Sequence, residues 1–216
     1  MAPDPIALNE SESLVATPIL SKPLHVRIAR HISNLLSPMA VSLPFIFLVA
    51  LYHATSLFSA IEYTCMTLFF LTVGPMLYIL YGVRTGKFTD IDVSVRSQRA
   101  KPFLFGLTSA LIGLLVLTLI GAPRDLQTVL LACILIGILY MAITLKWKIS
   151  IHASSLAGAL TMLTALYGTV VLPAFSLVVL LSWSRVVLRR HTLSQVVAGS
   201  LVSMVLASVV LALRGV

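Results

Sequence analysis

Residues 153–184 read ASSLAGALTMLTALYGTVVLPAFSLVVLLSWS, with no charged side chain and no histidine. The run is too long for one bilayer crossing, because about 20 apolar residues suffice for a hydrocarbon core of roughly 30 Å. Gly168, Leu172 and Pro173 lie in its middle, so the run is read as two shorter helices that turn near residues 169–173. A hairpin of that kind returns both of its ends to one membrane face. Those ends are Ser150-Ile151-His152 before it and Arg185 to His191 after it. Ionisable side chains beside apolar spans are costly and mark a site by default.

Working outward, charge-free apolar runs near 39–58, 63–83, 103–122 and 126–145 each match a bilayer crossing, and a last helix covers about 193–213. The chain has 59% apolar and 10% charged residues with a mean hydropathy of +1.05. Soluble domains carry roughly a quarter charged residues, so a soluble enzyme is excluded. The expected fold is an all-α, multi-pass transmembrane bundle of about six or seven spans, occupying residues 36–216. Small residues at Ser109 and Gly113, and at Gly199, Ser203 and Ala207, allow helices to approach closely. Residues 1–35 are read as a polar tail followed by an amphipathic interfacial helix. The tail carries Asp4, Glu10 and Glu12 and no base before Lys22, unlike a signal or transit peptide. The helix starts at Ser21-Lys22-Pro23 and places Leu24, Ile28, Ile32, Leu35 and Met39 at helical spacing, with Arg27, Arg30 and Asn34 on the other side. Cys65 and Cys133 fall within apolar runs and read as small hydrophobic packers.

Alternating the spans puts the N-terminus and residues 84–102, 146–152 and 185–192 on one side. Thirteen of the fifteen Lys and Arg lie there, all but Arg124 and Arg214, which makes that side cytoplasmic by the positive-inside rule. Trp147 and Trp183 sit at the same boundary, as interfacial indoles do. Lys146, Lys148, Arg189 and Arg190 read as membrane anchors, and His25, His31 and His53 as bystanders. Bases gathered at helix ends in this way imply no nucleic-acid partner.

Cleaving a phosphoester needs cations for the phosphoryl oxygens, a nucleophile, and an acid for the departing oxygen. This face carries all three types. A neutral imidazole at His191 can attack phosphorus while Arg185 holds an equatorial oxygen, and His152 can supply the proton.

The order of a basic motif, Ser-x-His and Ser-Arg-x5-His at a membrane surface resembles the type 2 phosphatidic acid phosphatase superfamily of helical-bundle lipid phosphatases. That family's pattern is Lys-x6-Arg-Pro, then Pro-Ser-Gly-His, then Ser-Arg-x5-His-x3-Asp. Here Ile149-Ser150-Ile151-His152 matches the second motif at Ser and His, and residues 184–195 match the third at Ser184, Arg185 and His191. The resemblance covers roughly residues 84–213. It implies a phosphohistidine at His191, a general acid at His152 for the leaving lipid alcohol, and phosphate ligands at Ser150 and Arg185. The first motif departs from the pattern: Lys101-Pro102 stands where Arg-Pro would, and Ser94 stands where Lys would. Arg96 and Arg99, one helical turn apart, are taken as its substitutes, with Lys101 as a further phosphate ligand. Gln195 stands where the family has the Asp that orients the nucleophilic histidine.

The expectation is therefore an integral membrane hydrolase acting on a lipid phosphate, prenyl or glycerolipid, without metal or other cofactor. The alternative is a non-catalytic lipid-phosphate binder or transporter on the same scaffold, which Gln195 favours and the two histidines disfavour. Asp90 and Asp92 are read as solvated loop acids paired with Arg96 or Arg99. They leave two further options: orienting a histidine, or holding Mg2+ as Asp-rich prenyltransferase motifs do.

Overall fold

The computed structural model describes residues 23–91, 93 and 95–215, leaving out the side chain of Arg96. The tail, the Ser21 cap, Lys22 and Asp92 lie outside the described residues. Among those described there is no strand. The elements are α1 (Leu24–Leu35), α2 (Pro38–Tyr52), α3 (Leu57–Leu68), a π-helical turn (Phe69–Val73), α4 (Gly74–Arg84), a 3-10 turn (Arg96–Gln98), α5 (Ala100–Leu119), α6 (Arg124–Thr144), α7 (Ile151–Tyr167), a 3-10 segment (Gly168–Phe175), α8 (Ser176–Val187) and α9 (Leu193–Arg214). Five helical stretches are long and apolar enough to cross a membrane, and a sixth is added when α1 and α2, bent by 40° at their junction, are taken as one span. The multi-pass helical bundle is present.

One of those five stretches is the whole of Ile151–Val187. As a straight helix it would hold Ala157 and Val178 about 31 Å apart. Instead Leu156, Ala157 and Leu160 pack in one cluster with Val178 and Leu181. The chain therefore reverses through Gly168–Phe175, where Gly168 adopts φ +77, a left-handed value that side chains with a Cβ resist. The hairpin expected from the uncharged run is there.

The core runs through Ile46, Val49, Leu126, Leu130, Leu163 and Leu211, contributed by α2, α6, α7 and α9. Apolar side chains also cover the outside: Leu115, Val179, Val205 and Leu213 are all exposed, a surface suited to hydrocarbon. Ser109 donates to the Phe70 carbonyl at 2.6 Å, satisfying backbone in the π-helical turn. Gly199 is needed for a close approach: a Cβ there would meet the Ser150 carbonyl oxygen at 2.7 Å. Tyr140 donates to the Gly199 carbonyl at 2.7 Å, so α6, α9 and the start of α7 are tied together at this point.

The break between α1 and α2 carries a signal that the sequence reading passed over. Ser37 accepts from the Ala40 amide and Pro38 occupies the first helical position, a strong helix start. On α1, Ala29 and Ser33 are buried, and the helix packs against α8. Leu24, Ile28 and Leu35 face outward.

Candidate functional site

Three chain segments far apart in sequence meet around one cavity of about 490 Å³. Arg99, at the start of α5, lines it. So do Lys148 and His152, on either side of the α7 N-terminus, and Arg185, Arg190 and His191, from the end of α8 and the turn that follows. Away from these polar groups the walls are apolar, with Phe45, Leu71, Met76, Ile79, Ile136 and Met162 among them. A charged mouth thus continues into a hydrocarbon-lined interior.

The turn after α8 explains how two of these side chains reach the cavity. Arg189 adopts φ +52, the left-handed position that commonly ends a helix. The amides of Arg190 and His191 then both donate to the Arg185 carbonyl, at 3.0 and 3.3 Å. For a residue with a Cβ this conformation costs roughly 1–2 kcal/mol. It swings the chain so that Arg190 and His191 line the cavity beside Arg185.

Thr192 caps α9 and forms a capping box with Gln195. This box fixes the orientation of the Gln195 amide and with it the tautomer of His191. The Thr192 backbone N–H donates to Gln195 Oε1 at 3.2 Å, so that end of the amide is the oxygen. The same oxygen lies 3.2 Å from His191 Nδ1. An oxygen with no proton requires Nδ1 to be the donor, which leaves the Nε2 lone pair free in the neutral ring. Burial holds the imidazole far below the ordinary value of 6.5, at about 3; Arg185, Lys148 and Arg99 add repulsion, and the Gln195 hydrogen bond pulls the other way. His191 is therefore uncharged at neutral pH.

Lys148 is also pulled down, first by burial and then by repulsion from Arg99, Arg190 and Arg185, with Asp90 opposing. Cations crowded this closely repel one another, and an anion bound among them relieves the repulsion. Arg99 is buried and fixed by donating from Nε to the Val93 carbonyl at 2.9 Å. Arg185, 6% exposed, donates from Nη1 to Ser33 Oγ at 2.8 Å.

Five residues expected at the site, His152, His191, Arg185, Arg99 and Gln195, converge in this way. Two others do not. Ser150 is fully buried and absent from the cavity wall; its hydroxyl accepts from the Ala153 amide at 3.4 Å as the cap of α7, and its own amide donates to the Gln195 carbonyl at 3.3 Å. It shapes the backbone, so the phosphate-ligand role does not fit its position. Lys101 is exposed in the first turn of α5 and does not line the cavity. The Arg96 side chain lies outside the described residues. Asp90 accepts from the Thr89 hydroxyl at 3.1 Å, within a loop where Gln98 also holds Thr89.

Two lining cations, Lys148 and Arg190, read as membrane anchors in the sequence. Their proximity to the Ser-x-His and Arg-x5-His motifs was the available signal. His53, taken as a bystander, lies 3.0 Å from Asp125. Among the described residues no three His, Cys, Asp or Glu side chains gather as a metal site.

No protein-family model, curated protein or solved structure matches the chain.

Proposed function

We propose that this protein is an integral membrane phosphatase that removes phosphate from a lipid phosphate through a phosphohistidine at His191, as a divergent relative of the type 2 phosphatidic acid phosphatases. The observation that carries the reading is the His191–Gln195 pair: a neutral imidazole with its Nδ1 proton committed to an amide oxygen, in a cavity shared with four cationic side chains and a second histidine. The apolar walls that continue from it suit the hydrocarbon of a lipid.

In the first step His191 Nε2 attacks phosphorus, forming the N–P bond as the P–O bond to the lipid breaks. His152, in its protonated form, gives its proton to the departing alkoxide, and a free lipid alcohol leaves. In the second step His152, now neutral, takes a proton from water. The water oxygen attacks phosphorus, the N–P bond breaks, and inorganic phosphate is released with both histidines restored. Arg185, Lys148, Arg99 and Arg190 stabilise the charge that spreads over the equatorial oxygens. No metal is required in this sequence. The positive-inside rule, applied to the thirteen of fifteen Lys and Arg that alternating spans put on one side, supports a cytoplasmic location for the reaction.

The test is release of inorganic phosphate by purified protein from a panel of prenyl and glycerolipid phosphates, with a chelator present. Release that disappears in His191→Ala supports the reading. Retained binding of the lipid phosphates without release would instead make the chain a binder or transporter, the role an uncharged Gln195 suits better than a carboxylate would. Activity lost to the chelator and restored by Mg2+ would point to Asp90 and Asp92.

A further inference from the structure

We infer that Ser33 of α1 is a positioning residue for Arg185, so that the N-terminal helix forms part of the reactive end of the bundle. The inference rests on the phosphatase reading above. Ser33 and Arg185 lie 152 positions apart in sequence, yet Arg185 Nη1 donates to Ser33 Oγ at 2.8 Å, with Ser33 only 3% exposed. Ala29, one turn earlier, is completely buried, and the two small residues let α1 close onto α8. A serine within a helix commonly bonds back to its own preceding turn. Here its oxygen accepts from an arginine on another helix.

Two consequences follow from the chemistry of the pair. The guanidinium is a rigid planar fork, so fixing one nitrogen fixes the direction of the others toward the cavity that Arg185 lines. The acceptor is also neutral. A carboxylate in its place would set a negative charge against the guanidinium, whereas a hydroxyl orients the cation and adds no opposing charge of its own. The outward side of α1 exposes Leu24, Ile28 and Leu35, apolar side chains suited to a lipid surface.

The test compares kcat and KM for wild type, Ser33→Ala, Ser33→Cys and Ser33→Thr on a lipid phosphate that the wild type hydrolyses. Cysteine nearly keeps the volume but is a poor acceptor, whereas threonine keeps the hydroxyl. Alanine and cysteine should lower kcat about tenfold with KM changed less than about threefold, and threonine should restore most of the rate. In an Arg185→Ala background, Ser33→Ala should cost nothing further in kcat, and the unfolding temperatures of the four proteins of that cycle should be non-additive. Wild-type kcat in Ser33→Cys, or the same fractional loss from Ser33→Ala with Arg185 absent, would overturn the inference. Non-additive unfolding with unchanged kcat would reduce the contact to a structural one and overturn it equally. A wild-type protein with no turnover on any lipid phosphate would remove the phosphatase reading itself, and the positioning role with it.

Discussion

Two histidines at opposite ends of the same helices have opposite surroundings. His53 follows α2 and meets Asp125 in the first turn of α6, with Nε2 3.0 Å from the carboxylate. Nearby, Tyr167 donates to the Leu48 carbonyl, Gln127 to the Ala122 carbonyl and Arg214 to the Thr128 hydroxyl. His191 has an amide for a partner and cations for neighbours, in a cavity bounded by the opposite ends of α2 and α6. A carboxylate partner makes a histidine a tie between helices. Burial beside arginine and lysine keeps His191 uncharged, and its amide partner brings no negative charge to offset them. Residue type alone therefore says little, and the difference lies in what balances each imidazole.

The comparison is broken most severely by removing each histidine in turn. His191→Ala should lower phosphate release by ~10^4 or more, the scale seen when a nucleophile is deleted from a triad enzyme. His53→Ala should leave the rate within about twofold, a range that marks a residue outside the reacting groups. Comparable losses from both would erase the distinction. Arg185→Ala should cost ~10^2–10^3 in kcat, the effect of deleting a preorganised donor to a charged transition state.

Gln195→Asp sharpens the comparison by giving His191 the kind of partner His53 already has. A carboxylate there keeps the same tautomer and stabilises the cation that forms, so turnover should rise, by about tenfold when the introduced group reaches Nδ1. The pH at which His191 charges should move up from about 3. Lower turnover in this variant would mean that another group already balances His191.

The pH dependence of stability separates the same two ends more gently. Between about 3 and 6.5 the unfolded chain binds a proton at His191 that the folded chain refuses. Folding stability should therefore fall as pH drops through that window and recover as it rises. His191→Gln should flatten that part of the curve in thermal unfolding, and an unchanged slope would contradict the assigned environment. The smallest effect is expected at the quiet end, where His53→Ala strands the buried Asp125 carboxylate and should cost on the order of 1 kcal/mol in stability.

Much of this architecture was legible because lipid imposes a simple code. The uncharged stretch 153–184, interrupted at Gly168 and Pro173, carried its own reversal, and the ends it returned to one face held His152, Arg185 and His191. What could not be read was how charge is shared once those ends meet. Lys148 and Arg190 look like topogenic bases in any linear reading, and only the folded chain shows them lining the cavity with His191. Ser150 sits in a motif, but its hydroxyl caps α7, because the close contact of Gly199 with its carbonyl buries it under α9. Ser33 was invisible for a different reason: a serine on an apparently amphipathic helix carries no sign of an arginine 152 residues away.

The central claim is that His191 is the nucleophile. It is tested most directly by quenching a reaction on lipid phosphate labelled with 32P in alkali, which preserves a phosphorus–nitrogen bond, and asking where the label resides. The account predicts protein-bound label that chases to inorganic phosphate in unlabelled substrate and is absent from His191→Ala, which also loses turnover. Wild-type turnover by His191→Ala, or label mapped to another residue, would contradict it.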